Sequence, residues 1–165
     1  MARRVFYSFH FANDFWRTQQ VRNINALDGQ TLCNANAWEE IKRKGDASIK
    51  KWIADNMTNR TCVVVLVGAA TASRPWVQHE ISKGWNDGLG VLAIRINKLL
   101  DSSGDSSVAG ENPLGKVNFK NSTRTLADVA SLKTPAGANS REVYASIAAN
   151  IDTWIEEAIT IRKKS

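Results

Sequence analysis

Cysteine and histidine are scarce in this chain, whose 165 residues include only two of each. Cys33 and Cys62 have neither the spacing of metal ligands nor that of a disulfide framework. Cys62 also lies in an apolar run that predicts a buried strand, where a thiol is usually inert. No pair of histidines stands at metal-binding spacing. We therefore expect two free thiols and no metal site.

Long apolar runs are also missing, and none approaches the roughly 20 residues that cross a bilayer. The N-terminal residues MARRVFYSF are typical of a strand and not of a signal peptide. Hydrophobic residues make up 43% of the chain and charged residues 23%, which are ordinary values for a globular protein. We expect a cytoplasmic protein with no membrane partner, folded as a single domain over residues 1–165.

Positive charge is in excess, with a formal net charge of +6. Basic surfaces attract nucleic acids, but here many lysines and arginines are spread along predicted helices and one predicted helix end. Two interpretations stay open: a solvated surface, or a mildly positive cleft for a small anion. We expect no nucleic-acid partner.

Motifs that bind phosphate groups are absent. No Gly-rich fingerprint follows the first predicted strand, and the chain has no phosphate-binding loop with a Lys-Ser or Lys-Thr pair. Receiver domains need an acidic pair after the first strand and an aspartate after the third. This chain has His10 and the loop Gly68–Thr71 at those places, so a phosphoacceptor site is not expected.

The central feature of the sequence is TCVVVLVGAATASRPWVQHEISKG, residues 61–84. Its apolar run without alternation predicts a strand that is covered on both faces, as in parallel α/β sheets. A helix is expected to open near Pro75, with Ser73 as its cap. Glu80 then lies one helical turn beyond the carboxyl edge of the strand, where ligands bind in open α/β sheets. The alternative is an exposed helix glutamate.

Further strands are predicted at 4–9 and 90–96, with a weak candidate at 30–33, and helices at 16–24, 38–44, 47–57 and 140–164. Asn13 or Asp14 would cap the first helix, with Trp16 on its inner face, and Asp46 would cap the third. A long irregular segment at about 98–138, with faint strand signals at 116–119, suits a lid or an interaction surface. The alternation predicts an α/β fold, a flavodoxin-like parallel sheet of four or five strands with helices on both faces.

Two ordered motifs resemble those of TIR domains. RVFYSFH, residues 4–10, is similar to their first strand, and the central stretch has their strand, small-residue loop and helix, with the Trp-x-x-x-Glu spacing at Trp76 and Glu80. From VFYSFHFANDFWRTQQVRNIN to WNDGLGVLAIRINKL, roughly residues 4–100, the chain resembles the TIR-like proteins of the bacterial Thoeris anti-phage system.

The resemblance implies a TIR-like fold and a signalling enzyme. Thoeris TIR proteins respond to a phage-derived trigger by cleaving the nicotinamide glycosidic bond of NAD, and they release a cyclic ADP-ribose isomer that activates a separate effector. NAD would be a substrate, and no cofactor is implied. The competing hypothesis is a non-catalytic TIR-type interaction module. Its binding surface would consist of the basic surface and the 98–138 segment, and it could also serve for self-association.

The catalytic glutamate of the family corresponds to Glu80. The resemblance further implies that the cleft is lined by residues at the first strand end, beyond it and beside Glu80. They are Ser8, Phe9 and His10, then Asn13 and Trp16, and finally Trp76 and His79. His79 stands where an aromatic residue would be expected. A single carboxylate suits the chemistry, because an anion stabilises an oxocarbenium-like ribose while nicotinamide leaves without a proton donor. Simpler interpretations remain for His10 as a loop residue and for Trp76 as a packing residue.

Overall fold

A single parallel sheet organises the protein. The computed structural model describes residues 3–24, 27–32 and 35–165. Within these ranges the sheet has five strands in the order β2-β1-β3-β4-β5, all paired in parallel. They are β1 Arg3–Ser8, β2 Leu27–Gly29, β3 Cys62–Val67, β4 Gly90–Arg95 and β5 Leu132–Lys133. This order confirms the predicted flavodoxin-like sheet.

Helices cover both faces of the sheet. The helices are α1 Phe11–Arg22, α2 Ala35–Arg43, α3 Asp46–Met57, α4 Pro75–Asn86 and α5 Ser140–Lys163. Residues of α1 and α5 pack on one face, and residues of α2, α3 and α4 pack on the other. Because β1 and β3 are neighbours whose following helices lie on opposite faces, their carboxyl ends border the crevice in which ligands of such sheets bind.

Strand β3 shows why its sequence does not alternate. All six of its residues are buried. Cys62, Val64 and Leu66 point into the core beneath α1 and α5, whereas Val63, Val65 and Val67 point into the core beneath α3 and α4. Both faces of the strand are therefore apolar, as predicted.

Helix α1 begins earlier than its sequence suggests, and the predicted caps are wrong. His10 is the N-cap residue, without a side-chain capping bond, and the backbone N–H of Asp14 already donates to the carbonyl of His10. Asp14 cannot cap because its side chain is buried against Arg17. The sequence predicts Trp16 on the inner face of the helix, but 56% of this residue is exposed.

Two other predicted caps also differ. Ser73 belongs to a short 3₁₀ helix, Thr71–Ser73, where its hydroxyl donates to the carbonyl of Ala70, so Arg74 becomes the N-cap of α4. Helix α3 starts at Asp46 itself, after Gly45. Gly45 has a φ of 98°, which glycine adopts readily and which turns the chain between α2 and α3.

The segment at about 98–138 is packed more firmly than an irregular loop. It contains the 3₁₀ helices Pro113–Lys116 and Leu126–Asp128 and strand β5, which the sequence did not reveal. The signal at 116–119 is only an isolated bridge, between Asn118 and Thr125. Leu114 and Leu126 are buried in the core beneath α4, so this segment covers the sheet.

The weak strand candidate at 30–33 is displaced toward the N-terminus, because β2 ends at Gly29. Cys33 lies outside the described residues, and Cys62 is a buried free thiol, as predicted. None of the helices in the described ranges combines the length and the apolar character needed to cross a membrane.

Candidate active site

Glu80 is a buried carboxylic acid at the carboxyl edge of the sheet. Only 7% of it is exposed, because it shares the inward side of α4 with Val77 and Ile81. Its Oε1 accepts a 2.6 Å hydrogen bond from the hydroxyl of Ser8, the last residue of β1. Burial raises the pKa of Glu80 to about 8, and the Ser8 hydroxyl opposes this rise. The alternative of an exposed helix glutamate is therefore wrong.

Aromatic side chains surround this carboxyl group. A cavity of about 50 Å³, which we call the aromatic cage, reaches Glu80 between β1, α2, α3 and α4. It has room for a few water molecules. The residues that line it are mostly apolar and include five aromatic rings besides Tyr7; they are Tyr7, Phe9, Phe11, Gln30, Leu32, Trp38, Trp52, Trp76 and Glu80.

The cage is held together by ring contacts and by one buried amide. Trp38 lies nearly parallel to Phe11, with ring centroids 5.9 Å apart, and meets the edge of Trp52 at 5.7 Å. The side chain of Gln30 accepts from the backbone N–H of Tyr7 and donates to its carbonyl, at 2.8 and 2.9 Å. Gln30 thus continues the pairing of β1 beyond the end of β2.

A second cavity, which we call the vestibule, adjoins the cage. Its volume is about 140 Å³, and it shares four aromatic side chains with the cage, namely Phe9, Phe11, Trp38 and Trp76. Lys42 and Arg74 add positive charge to its wall, and Glu39, 3.1 Å from Lys42, adds one negative charge. A ligand in the cage can therefore extend past basic side chains.

His10 lines the vestibule and lies one helical turn before Asp14. Asp14 is 1% exposed, and its Oδ1 accepts a 2.8 Å bond from Arg17. Within the described part of the chain, His10 Nδ1 and Asp14 Oδ2 are both buried without a hydrogen-bond partner. Burial and the nearby Arg74 lower the pKa of His10, while Asp14 opposes that change.

The predicted site residues separate into two groups. The structure brings Ser8, Phe9, His10 and Trp76 together around Glu80 and the vestibule. Asn13 and Trp16 are exposed on α1 and line neither cavity. His79 also lines neither cavity; its ring meets the edge of Trp76 at 5.5 Å.

Sequence reasoning missed the far wall of the cage, which consists of Phe11, Gln30, Trp38 and Trp52. Trp38 of α2 and Trp52 of α3 line the cage with Glu80 because the two helices pack together, and nothing in the sequence shows this packing. For Glu80 itself a signal of burial was available, because it follows Val77 by three residues and so lies on the apolar stripe of its helix.

Metal coordination finds no support in this geometry. Across residues 3–24, 27–32 and 35–165, no group of three or more histidine, cysteine, aspartate or glutamate side chains is arranged to hold a metal ion. The arrangement instead offers one acid in an apolar, aromatic setting, which suits a planar cation.

Comparison with known proteins agrees with this geometry. The family model described as "Thoeris protein ThsB, TIR-like domain" matches residues 6–101, the part of the chain that builds β1, β3, β4 and the cage. A curated relative from Bacillus cereus (strain MSX-D12), named "Putative cyclic ADP-D-ribose synthase ThsB1", is 33% identical over 129 residues. The match covers 74% of this chain and 67% of the relative. The chain therefore belongs to the family of Thoeris ThsB proteins with a TIR-like domain.

Proposed function

We propose that this protein cleaves the nicotinamide–ribose bond of NAD⁺ and closes the ADP-ribosyl group into a cyclic isomer. The observation that carries the proposal is the position of Glu80, a buried carboxyl group inside a cage of aromatic rings. The name of the relative, a cyclic ADP-D-ribose synthase, supports the same activity.

The cage suits the pyridinium ring of NAD⁺. Aromatic faces attract a planar cation, by roughly 0.5–2 kcal/mol for each close contact. A neighbouring cation also favours the ionised form of a carboxyl group. Since the pKa of Glu80 is about 8 without such a cation, binding of the pyridinium would help to ionise Glu80 at neutral pH. The small volume of the cage means that its aromatic side chains must shift to admit the ring.

Bond cleavage requires little from the protein besides this anion. Nicotinamide leaves with the bonding electron pair and becomes neutral, so it needs no proton donor. The ribose is left with positive charge at its anomeric carbon, and a carboxylate held nearby stabilises that charge more in the transition state than in the ground state. Under this proposal NAD⁺ is the substrate and no cofactor takes part.

The vestibule supports the remainder of the substrate. Lys42 and Arg74 can attract the diphosphate once nicotinamide is in the cage, since the two cavities share aromatic walls. The apolar walls exclude water from the anomeric carbon, which favours capture by another part of the same molecule over hydrolysis. The cyclic product would act as a diffusible signal to a separate effector, after a phage-derived trigger.

The test is incubation of purified protein with NAD⁺, followed by separation of nicotinamide and nucleotide products. Glu80→Gln keeps the shape of the side chain and removes its charge. We expect nicotinamide release to fall by about a hundredfold or more, equivalent to several kcal/mol of barrier. A silent wild-type preparation is repeated in lysate from phage-infected cells, which contains the trigger.

A matched control is Glu157→Gln, on an exposed stretch of α5 where Glu157 pairs with Lys133. This variant should release nicotinamide at the wild-type rate. Should Glu80→Gln stay folded and release nicotinamide at the wild-type rate, catalysis by Glu80 is refuted, and a non-catalytic interaction module becomes the better description.

A further inference from the structure

Two buried polar atoms at the start of α1 complement each other. His10 Nδ1 and Asp14 Oδ2 have no hydrogen-bond partner in the described part of the chain, and both are shielded from water. Leaving such groups unpaired costs about 1–3 kcal/mol each. A neutral imidazole that is protonated on Nδ1 supplies a donor, and an ionised Asp14 supplies an acceptor. Each atom is therefore the kind of partner that the other lacks.

The side chains and backbone around Asp14 fix the position of its carboxylate. Its other oxygen, Oδ1, is fixed by Arg17, whose guanidinium also donates to the carbonyls of Leu99 and Asp105 at 2.7 and 2.8 Å. Gly68, at the end of β3, leaves the space that the Asp14 carboxylate occupies, since a side chain at Gly68 would collide with it. The Asp14 carboxylate is thus held in place, while its Oδ2 has no hydrogen-bond partner in the described part of the chain.

We propose that His10 and Asp14 form a dyad in which His10 Nε2 is the general base for the nucleophile that captures the ribosyl group. Asp14 is the positioning residue: the two side chains are not hydrogen-bonded in the structure, and a bond from Nδ1–H to Asp14 Oδ2, once formed, leaves the lone pair on Nε2. Because Nδ1 is buried, Nε2 is the ring nitrogen that can meet a ligand in the vestibule. The inference rests on the proposed function, and it concerns the step after nicotinamide departs.

The step conserves atoms and charge. The bond from the anomeric carbon to the nicotinamide nitrogen breaks, and its electron pair leaves with nicotinamide. An oxygen nucleophile, either a hydroxyl group of the same dinucleotide or a water molecule, forms the new bond to that carbon. Its proton passes to His10 Nε2, and the resulting imidazolium later returns the proton to solvent. A base in this position typically contributes about 10²–10⁴-fold to the rate.

The charges that face His10 are compatible with a neutral imidazole at pH 7. Arg74 lies on the α4 side and Asp14 on α1, and Lys42 and Glu39 of α2 line the same vestibule. Burial and Arg74 lower the pKa of His10, and Asp14 acts in the opposite direction. A neutral histidine can accept a proton, which an imidazolium cannot.

The experiment compares two nucleophiles that differ in whether they carry a proton. An added pyridine base, 3-acetylpyridine, captures the ribosyl group through its nitrogen lone pair and loses no proton. We expect His10→Gln to form the exchange product within about threefold of the wild-type rate, while cyclic and hydrolysed products fall by about a hundredfold. The ratio of oxygen capture to exchange should rise with pH in the wild type and stay flat in His10→Gln.

Two further variants separate the dyad from a structural effect. Asp14→Asn should lower the same ratio, because an amide favours the wrong tautomer of His10. The matched control is His79→Gln at the other histidine, which should leave the ratio unchanged. If His10→Gln keeps the wild-type ratio, or loses exchange and oxygen capture equally while its melting temperature is unchanged, His10 is not the base.

The tautomer of His10 can be measured without enzymatic turnover. Nitrogen NMR of the two histidines, assigned with His79→Gln, reports which nitrogen carries the proton. We expect the Nδ1–H tautomer for His10 in the wild type and the Nε2–H tautomer in Asp14→Asn. An Nε2–H tautomer in the wild type would overturn the dyad. Absence of both nicotinamide release and exchange in the wild type would instead count against the proposed function.

Discussion

The hydroxyl of Ser8 donates a 2.6 Å hydrogen bond to Oε1 of Glu80, joining the end of β1 to the middle of α4. Ser8 is completely buried, and Glu80 nearly so. The hydrogen bond favours the anion, whereas the apolar surroundings favour the neutral acid and have the larger effect on the pKa, which is about 8. At neutral pH a modest change in the surroundings therefore decides whether Glu80 is charged.

The first prediction concerns the pH dependence of stability. Because the pKa of Glu80 is raised from 4.5 to about 8 on folding, the folded protein binds this proton more tightly than the unfolded chain. The contribution to stability is complete below the unfolded pKa and is lost as pH rises through the folded pKa. Glu80→Gln removes this loss, so its melting temperature relative to wild type should rise between about pH 5 and about pH 9.

The size of this effect follows from the shift, since each pKa unit corresponds to about 1.4 kcal/mol. The variant should gain a few kcal/mol relative to wild type across the range. Glu157→Gln provides the control for loss of a glutamate, because its pair with Lys133 should contribute less than about 1 kcal/mol. A Glu80→Gln difference that does not change with pH would show that Glu80 is already ionised at pH 5.

The second prediction concerns Ser8→Ala. Removing the hydroxyl withdraws the side-chain hydrogen bond that favours the Glu80 anion. The pKa should rise further, so the ascending limb of kcat/KM for nicotinamide release, which reports the free enzyme, should move up by about one pH unit. The plateau at high pH should change little. A lowered plateau with an unmoved limb would indicate that Ser8 contacts substrate instead of tuning Glu80.

Much of the fold was predictable because the sequences of β3 and β4 are typical of buried strands. Six consecutive apolar residues at 62–67 favour a strand that is covered on both faces, and the structure places this strand third in the sheet. Strand β5 was not predictable, because it has only two residues and both are half-buried. Its pairing with β4 depends on tertiary contacts that leave no period in the sequence.

The candidate site was predictable only from one side. The sequence places Ser8, Phe9 and Glu80 at or just beyond predicted strand ends. These residues are expected to lie close together because the carboxyl ends of neighbouring parallel strands meet at one edge of the sheet. Trp38 and Trp52 reach the cage because α2 and α3 pack together over β1, and no spacing within either helix shows that. Asn13 and Trp16 lie outside both cavities for a local reason, since α1 begins at Phe11 and carries both residues to its exposed side.

The third prediction separates the two tryptophans. Trp38 lies against Phe11 and lines both cavities, whereas Trp16 is exposed and lines neither. Trp38→Leu should weaken binding of NAD⁺ by about tenfold, which corresponds to the loss of one good cation–π contact. Trp16→Leu is the matched control and should bind normally. Affinity is measured by calorimetry with a non-cleavable carbocyclic analogue of NAD⁺. The reverse order of effects would favour the cleft position that the family resemblance implies for Trp16.

The fourth prediction compares two ion pairs of nearly equal length. Arg17 and Asp14 are 2.8 Å apart and almost fully buried, whereas Lys51 and Asp55 are 2.7 Å apart and exposed. Arg17→Met leaves Asp14 as an uncompensated buried charge, which typically costs about 3–5 kcal/mol. Lys51→Met removes a pair that water screens, so it should cost less than about 1 kcal/mol. The measurement is the free energy of unfolding in urea.

The double variant Asp14→Leu with Arg17→Met identifies the cause of that loss. If the cost of Arg17→Met comes from the stranded Asp14 carboxylate, removing the carboxylate as well should recover about half of the loss or more. If it comes instead from the carbonyls of Leu99 and Asp105, which Arg17 also holds, the double variant should be no more stable than the single one. The first result would show that Arg17 chiefly compensates the charge of Asp14, whose Oδ2 has no hydrogen-bond partner in the described part of the chain.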